Sequence, residues 1–202
     1  MLDAHMRKII DGPLNNVGKR FADAGVSANG MTLAGLVLGL MAAVFIAMGN
    51  FSAGLVFILL SRIADGLDGA VARATKKTDF GGYFDIVADF LFYGAVPLAF
   101  AIVSPQTNAV AAVVLLLSFY VNGATFLGYA ILAEKKKLTT NTQGQKNLYY
   151  TDGLLEGTET IAFLVVICIW PTLFALLAYV FAAATFFTAI MRVWRAYKIF
   201  AE

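Results

Sequence analysis

Apolar residues in this chain come in long runs broken by short polar stretches. The first run goes from about Met31 to Met48 and stops at Gly49-Asn50; the second starts at Phe51 and passes Ser61-Arg62 into a polar stretch ending near Arg73. A third extends from about Asp85 to Val103, closed by Ser104-Pro105, and a fourth from about Ala109 to Ala133, closed by Glu134 and Lys135 to Lys137. The last apolar stretch, from about Leu154 to Trp194, is too long for one crossing, and Pro171 divides it where a turn would fall. A spanning helix needs about 20 largely apolar residues, and lipid tolerates only helices or closed barrels, because every backbone polar group must find its partner within the protein. Strict alternation is absent, so the pattern predicts an all-α integral membrane protein with six transmembrane helices.

The first thirty residues follow another pattern. Met6, Ile9, Ile10, Leu14, Val17 and Phe21 recur at roughly helical spacing, while Asp3, Arg7, Lys8, Asp11, Lys19 and Arg20 interrupt any continuous apolar core. This predicts an amphipathic juxtamembrane helix rather than a secretory signal; the alternative is a polar tail broken at Gly12-Pro13. The expected organisation is an N-terminal interfacial segment, 1–30, and a six-helix membrane domain, 31–202.

Composition agrees with a lipid environment. Of 202 residues 60% are hydrophobic and 14% charged, with a mean hydropathy of +0.77, which excludes a water-soluble enzyme, a disordered chain and a disulfide-stapled scaffold. Cys168, the single cysteine, lies inside an apolar run and reads as a small core residue. A net charge of +2 is too small to argue for nucleic acid as a partner.

The placement of charge says more than its amount. Lys and Arg fall in the N-terminal segment, between the second and third runs, between the fourth and fifth, and at the C-terminal end; the opposite connections, near Gly49-Asn50, Ser104 to Asn108 and Pro171, carry none. With six spans this predicts both termini, and any polar chemistry, on the cytoplasmic side of the cell inner membrane. Lys135 to Lys137 would meet anionic headgroups.

Between the second and third runs lie Asp65 and Asp68, three residues apart, and Asp85 and Asp89, four apart, so each pair shares one helix face. Two antiparallel neighbouring helices joined by a short linker bring both pairs to similar depth. Four carboxylates there need a cation. Arg73, Lys76 or Lys77 can supply part of it, but oxygen ligands without His or Cys are what Mg²⁺, Mn²⁺ or Ca²⁺ prefer, and shared carboxylates suit two ions. Glycines at 66, 69, 81 and 82 remove bulk where a ligand or another backbone must come close.

The string Asp65-x2-Asp68-Gly69-x2-Ala72-Arg73-x7-Gly81-x3-Asp85-x3-Asp89 resembles the signature of the CDP-alcohol phosphotransferase family, bacterial inner-membrane type. Ser27-Ala28-Asn29-Gly30-Met31-Thr32 is similar to that family's entry to its first helix, with Ala28 where proline is usual. The resemblance implies an enzyme of phospholipid synthesis that moves a phosphatidyl-type group from a CDP-linked lipid to a small alcohol or polyol phosphate and releases CMP. It also implies Mg²⁺ or Mn²⁺, two ions in number, and a homodimer, for which Gly35 and Gly39 offer one packing face.

By the same resemblance Asp65, Asp68 and Asp85 are metal ligands, and Asp89 either completes the second metal or takes the proton of the attacking alcohol. Asp89 is expected in the catalytic role because it lies one turn deeper than Asp85. Asp68, Gly69, Ala72, Arg73 and Gly81 would form the donor site with Asn29 and Thr32, for which helix capping is the alternative. Acceptor candidates are Glu156 and Glu159 at the start of the fifth span and Arg192 and Arg195 at the end of the sixth; the arginines serve equally as interface anchors beside Trp194 and Tyr197. Two other classes fit an acidic helical bundle: a divalent-cation transport protein, disfavoured by the uncharged far half, and a membrane prenyltransferase, which would release pyrophosphate rather than CMP.

Overall fold

The computed structural model describes residues 3–136, 155 and 157–201, with side chains from residue 10 onward. Seven α-helices make up this part: α1 Asp3–Asp23, α2 Ala28–Ala47, α3 Phe51–Ala74, α4 Asp79–Val103, α5 Pro105–Lys135, α6 Gly157–Ile169 and α7 Phe174–Phe200, with one 3₁₀ turn, Pro171–Leu173, between the last two. Glu156 and Lys137 lie outside the described residues.

Local chemistry sets the helix ends. Ser27, Asn50 and Thr78 cap α2, α3 and α4, each accepting a hydrogen bond from the backbone N–H three residues on, at 3.0–3.1 Å. The cap of α2 is therefore Ser27 and not Asn29. Gly49, at φ +80°, closes α2: its N–H bonds to Ile46 and that of Asn50 to Phe45, so the chain reverses at once into α3.

Four stretches are long and apolar enough to cross a membrane: α2, α4, α5 and the combined Pro171–Phe200. In α3 the run is interrupted by Arg62, Asp65, Asp68 and Arg73, and α6 has 13 described residues. At about 1.5 Å per residue, the 24 residues of α3 still reach roughly 36 Å, a bilayer's thickness. The N-terminal segment is helical through Pro13, docked on α3 by Leu14 and Gly18; Ile10, Val17 and Phe21 stay exposed.

The main core lies among α2, α3, α4, α5, α6 and α7, around Ile46, Ile58, Phe92, Phe100, Leu115, Leu164, Ile167 and Phe174, with Cys168 in its wall. The Phe100 and Phe174 rings stack at 4.4 Å. A smaller cluster of Met31, Ala64 and Leu67, flanked by Leu14, Val26 and Leu38, packs α1, α2 and α3 together. Helix-face glycines make these approaches close. At Gly39 a Cβ would stand 2.5 Å from Phe92 Cδ2, and at Gly35 it would stand 3.4 Å from Ala64 Cβ. The Gly35/Gly39 face, expected to be available to a second copy, is therefore used inside the chain: Gly35 is buried against α3 and Gly39 against α3 and α4, and at Gly39 only a side-chain-free position lets α2 sit this close.

Candidate active site

The acidic residues of α3 and α4 come together as their spacing predicts. Asp65, Asp68 and Asp85 each present a carboxylate oxygen, all three within 4.8 Å of one another. Such an oxygen-only set suits a hard divalent cation. The ends of three helices build it: α3 contributes Asp65 and Asp68 one turn apart, α4 contributes Asp85, and Thr32 of α2 donates from Oγ1 to Asp68 Oδ2 at 2.6 Å. Asp68 is the buried carboxylate, whereas the side chains of Asp65 and Asp89 are 34% and 33% exposed. Thr32 and α2 cover Asp68, so the most enclosed of these three carboxylates is Asp68.

Asp89 joins the group through an intermediary that sequence reasoning passed over. Arg62 of α3 places Nη1 2.7 Å from Asp89 Oδ1 and 3.4 Å from Asp65 Oδ1. Its guanidinium carbon lies 4.0 Å from the centroid of the Phe92 ring, and only 8% of the side chain is exposed. The available signal was its position three residues before Asp65, on the same helix face. The expected counter-cation, Arg73, points elsewhere: its Nε donates to Asn15 Oδ1 of α1 at 2.9 Å.

The glycines divide by use. A Cβ on Gly69 would stand 3.2 Å from Arg73 Nη1, so that glycine makes room for a guanidinium. Gly66 lies under Leu14 of α1. A Cβ added to Gly81 would stand 3.1 Å from Asn29 Oδ1 and 3.0 Å from Thr78 Oγ1, so two expected donor residues are neighbours and the glycine keeps the space between them open. Ala72 is half-buried on α3.

The two arginines of α7 part company. Arg192 is buried, and its Nη1 donates to the Asn122 carbonyl at 3.0 Å, Asn122 Oδ1 at 2.8 Å and Thr125 Oγ1 at 3.0 Å, clamping α7 to α5. Arg195 is exposed near Trp194, whose ring receives Lys198 Nζ at 3.7 Å. Glu159 is half-buried in the first turn of α6.

Helices apolar and long enough to cross a membrane surround a cluster of aspartate oxygens able to hold a divalent cation, the arrangement of an integral membrane protein with a candidate metal site. A sequence model of the CDP-alcohol phosphatidyltransferase family matches residues 26–194, and the chain belongs to this family of transferases. Inner membrane protein YnjF of Escherichia coli is 42% identical over 197 residues, 98% of this chain and 96% of that protein. Archaetidylinositol phosphate synthase of Pyrococcus horikoshii is 33% identical over 87 residues, 43% of this chain and 46% of that one. Among solved structures, Mycobacterium tuberculosis phosphatidylinositol phosphate synthase with CDP-DAG bound superposes with a TM-score of 0.69 at 20% identity, over 91% of this chain and 93% of that chain. The same enzyme with manganese and citrate gives 0.68 at 20% identity, over 89% and 87%. Family membership confirms the resemblance read from the Asp65–Asp89 motif and sets aside the transport and prenyl-transfer alternatives.

Proposed function

We propose that this chain transfers a substituted phosphate group from a CDP-alcohol, CDP-diacylglycerol being the first candidate, to an alcohol such as glycerol 3-phosphate, inositol phosphate or a similar polyol, releasing CMP. The observation that carries the reading is the convergence of Asp65, Asp68 and Asp85 oxygens within 4.8 Å. A donor pyrophosphate is multiply negative, so bare carboxylates repel it. Divalent ions held by these aspartates, Mg²⁺ or Mn²⁺ and two in number if all four take part, would supply charge neutralisation for the donor pyrophosphate and the departing CMP.

The chain's own groups do the rest. Asp65, Asp68 and Asp85 hold the cation, and Thr32 orients Asp68. Asn29, Gly69, Ala72, Arg73 and Gly81 form the donor side, supported by the approach of Asn29 to Gly81. The acceptor oxygen forms a bond to the lipid-bearing phosphorus as the bond to the CMP oxygen breaks, and Asp89 takes the hydroxyl proton. Glu156, Glu159, Arg192 and Arg195 are the acceptor-side candidates, Arg195 supported by its exposure.

The same proposal places six crossings in the cell inner membrane, residues 31–202 forming the membrane domain, with both termini and the site cytoplasmic. The segregation of charge supports this orientation. Residues 1–30 then lie in the interface, a reading supported by the apolar edge of α1 that α3 leaves uncovered. A homodimer would use a face other than Gly35/Gly39.

Purified protein incubated with CDP-diacylglycerol, Mn²⁺ or Mg²⁺ and a panel of these alcohols should release CMP with one of them. Absence of metal-dependent CMP release across the panel overturns the reading. Asp89→Asn should abolish turnover and keep donor binding; an active Asp89→Asn enzyme refutes that residue's role.

A further inference from the structure

Arg62 stands where two carboxylates from different helices meet. Its Nη1 is 2.7 Å from Asp89 Oδ1 and 3.4 Å from Asp65 Oδ1, while Nη2 donates to Ser61 Oγ at 3.2 Å. The guanidinium lies over the Phe92 ring, and Phe92 is fully buried, so the cation has a fixed floor. Its Nε is buried without a hydrogen-bond partner. The side chain has given up a hydrogen bond to reach the acidic pair, which argues that attraction to Asp65 and Asp89 sets its position.

Asp68 and Asp85 lie outside this contact, with Asp65 common to both groups. A cation held by Asp65, Asp68 and Asp85 leaves the Arg62 contacts to Asp89 intact. A cation bridging Asp65 to Asp89 would not: it would draw on the two carboxylates that Nη1 already pairs with, beside that positive group. We propose that Arg62 is a built-in counter-cation that competes with the second divalent ion for Asp65 and Asp89, making the two ion sites unequal. It rests on the reading of the aspartates as a metal site. In the protein without metal, Arg62 keeps two carboxylates from facing each other unpaired; when the second ion enters, the guanidinium must yield.

The test counts Mn²⁺ bound to the full chain in lipid nanodiscs, by the electron paramagnetic resonance signal of free Mn²⁺ and by calorimetry, with Mn²⁺ as the only ligand. The wild type should bind one ion tightly and a second more weakly. Arg62→Met removes the competing charge and should tighten the second site by on the order of tenfold or more, leaving the first little changed. It should also raise the Mn²⁺-induced gain in thermal stability, because Asp65 and Asp89 then depend on the ion for neutralisation. Arg62→Gln, neutral but still a hydrogen-bond donor, repeats the test should the methionine variant fail to fold. Mn²⁺ isotherms identical in wild type and neutral variants overturn this proposal and leave the metal site standing. No Mn²⁺ bound to any of them overturns the metal reading, and this inference with it.

Discussion

Replacing Gly39 with alanine tests whether the packing behind the site, one contact removed from Arg62, controls the carboxylates. The added Cβ would stand 2.5 Å from Phe92 Cδ2 and 3.0 Å from Ser61 Oγ. Carbon atoms in contact settle at about 3.5–4.0 Å, so α2 and the ring must separate by roughly 1 Å. Phe92 is fully buried and the contact is near the root of its ring, so no rotamer change gives that space. Overpacking of this kind costs about 1–3 kcal/mol, a fall of roughly 2–12 °C in apparent Tm for a chain of this size. Phe92 also supports Arg62, which holds Asp89, so the displacement reaches the carboxylates. A misplacement near 1 Å at reacting groups lowers turnover by about tenfold to a hundredfold. Gly94→Ala is the control: a Cβ there meets nothing within 4 Å, and alanine in a helix is favoured by roughly 0.5–1 kcal/mol. Thermal scans and CMP-release rates on both variants decide the matter. Equal Tm and activity for Gly39→Ala and Gly94→Ala would refute the link from packing to site.

Gly49→Ala puts a side chain at φ +80° and should cost about 1–2 kcal/mol, read as an apparent Tm lowered by roughly 2–8 °C; an unchanged Tm counts against the strained turn. Arg192→Met removes three hydrogen bonds to α5 and should destabilise by about 3 kcal/mol, and a thermal scan matching wild type would show that the clamp carries no load. Chelation with EDTA should stop CMP release, and Mn²⁺ should restore it in wild type but not in Asp68→Asn; recovery in that variant would remove Asp68 from the cation site.

The legible part of this molecule is the part decided by short stretches of chain. Runs of apolar residues and the Gly49-Asn50 turn act within a few residues of themselves, so the apolar stretches are helical as the pattern predicts, whereas α4 starts at Asp79, ahead of its apolar run, where the Thr78 cap sets the end. The aspartates are legible for the same reason: spacings of three and four put each pair on one helix face, and a short linker limits how the faces can meet. Charge segregation is likewise a property of the one-dimensional order, since the bilayer reads only which connection carries the lysines and arginines.

Which faces meet, and which cation reaches which carboxylate, are nonlocal questions. Arg62 and Arg73 both stand close to the acidic pair in sequence, yet the first turns into the site over Phe92 and the second turns out to Asn15 of α1. Arg192 and Arg195 differ by less than a helical turn and end up buried and exposed, because a rotation of three residues on α7 separates the side facing α5 from the open side. The glycines that read alike in sequence serve a helix contact at Gly39, a leucine at Gly66 and a guanidinium at Gly69. By itself the sequence determined that the apolar stretches are helical, the likeness of the motif to a phosphotransferase signature and the grouping of charge into alternate connections. Only the tertiary structure decided how that charge is paired, because an ion pair depends on the distance between side chains from different helices, and packing alone sets that distance.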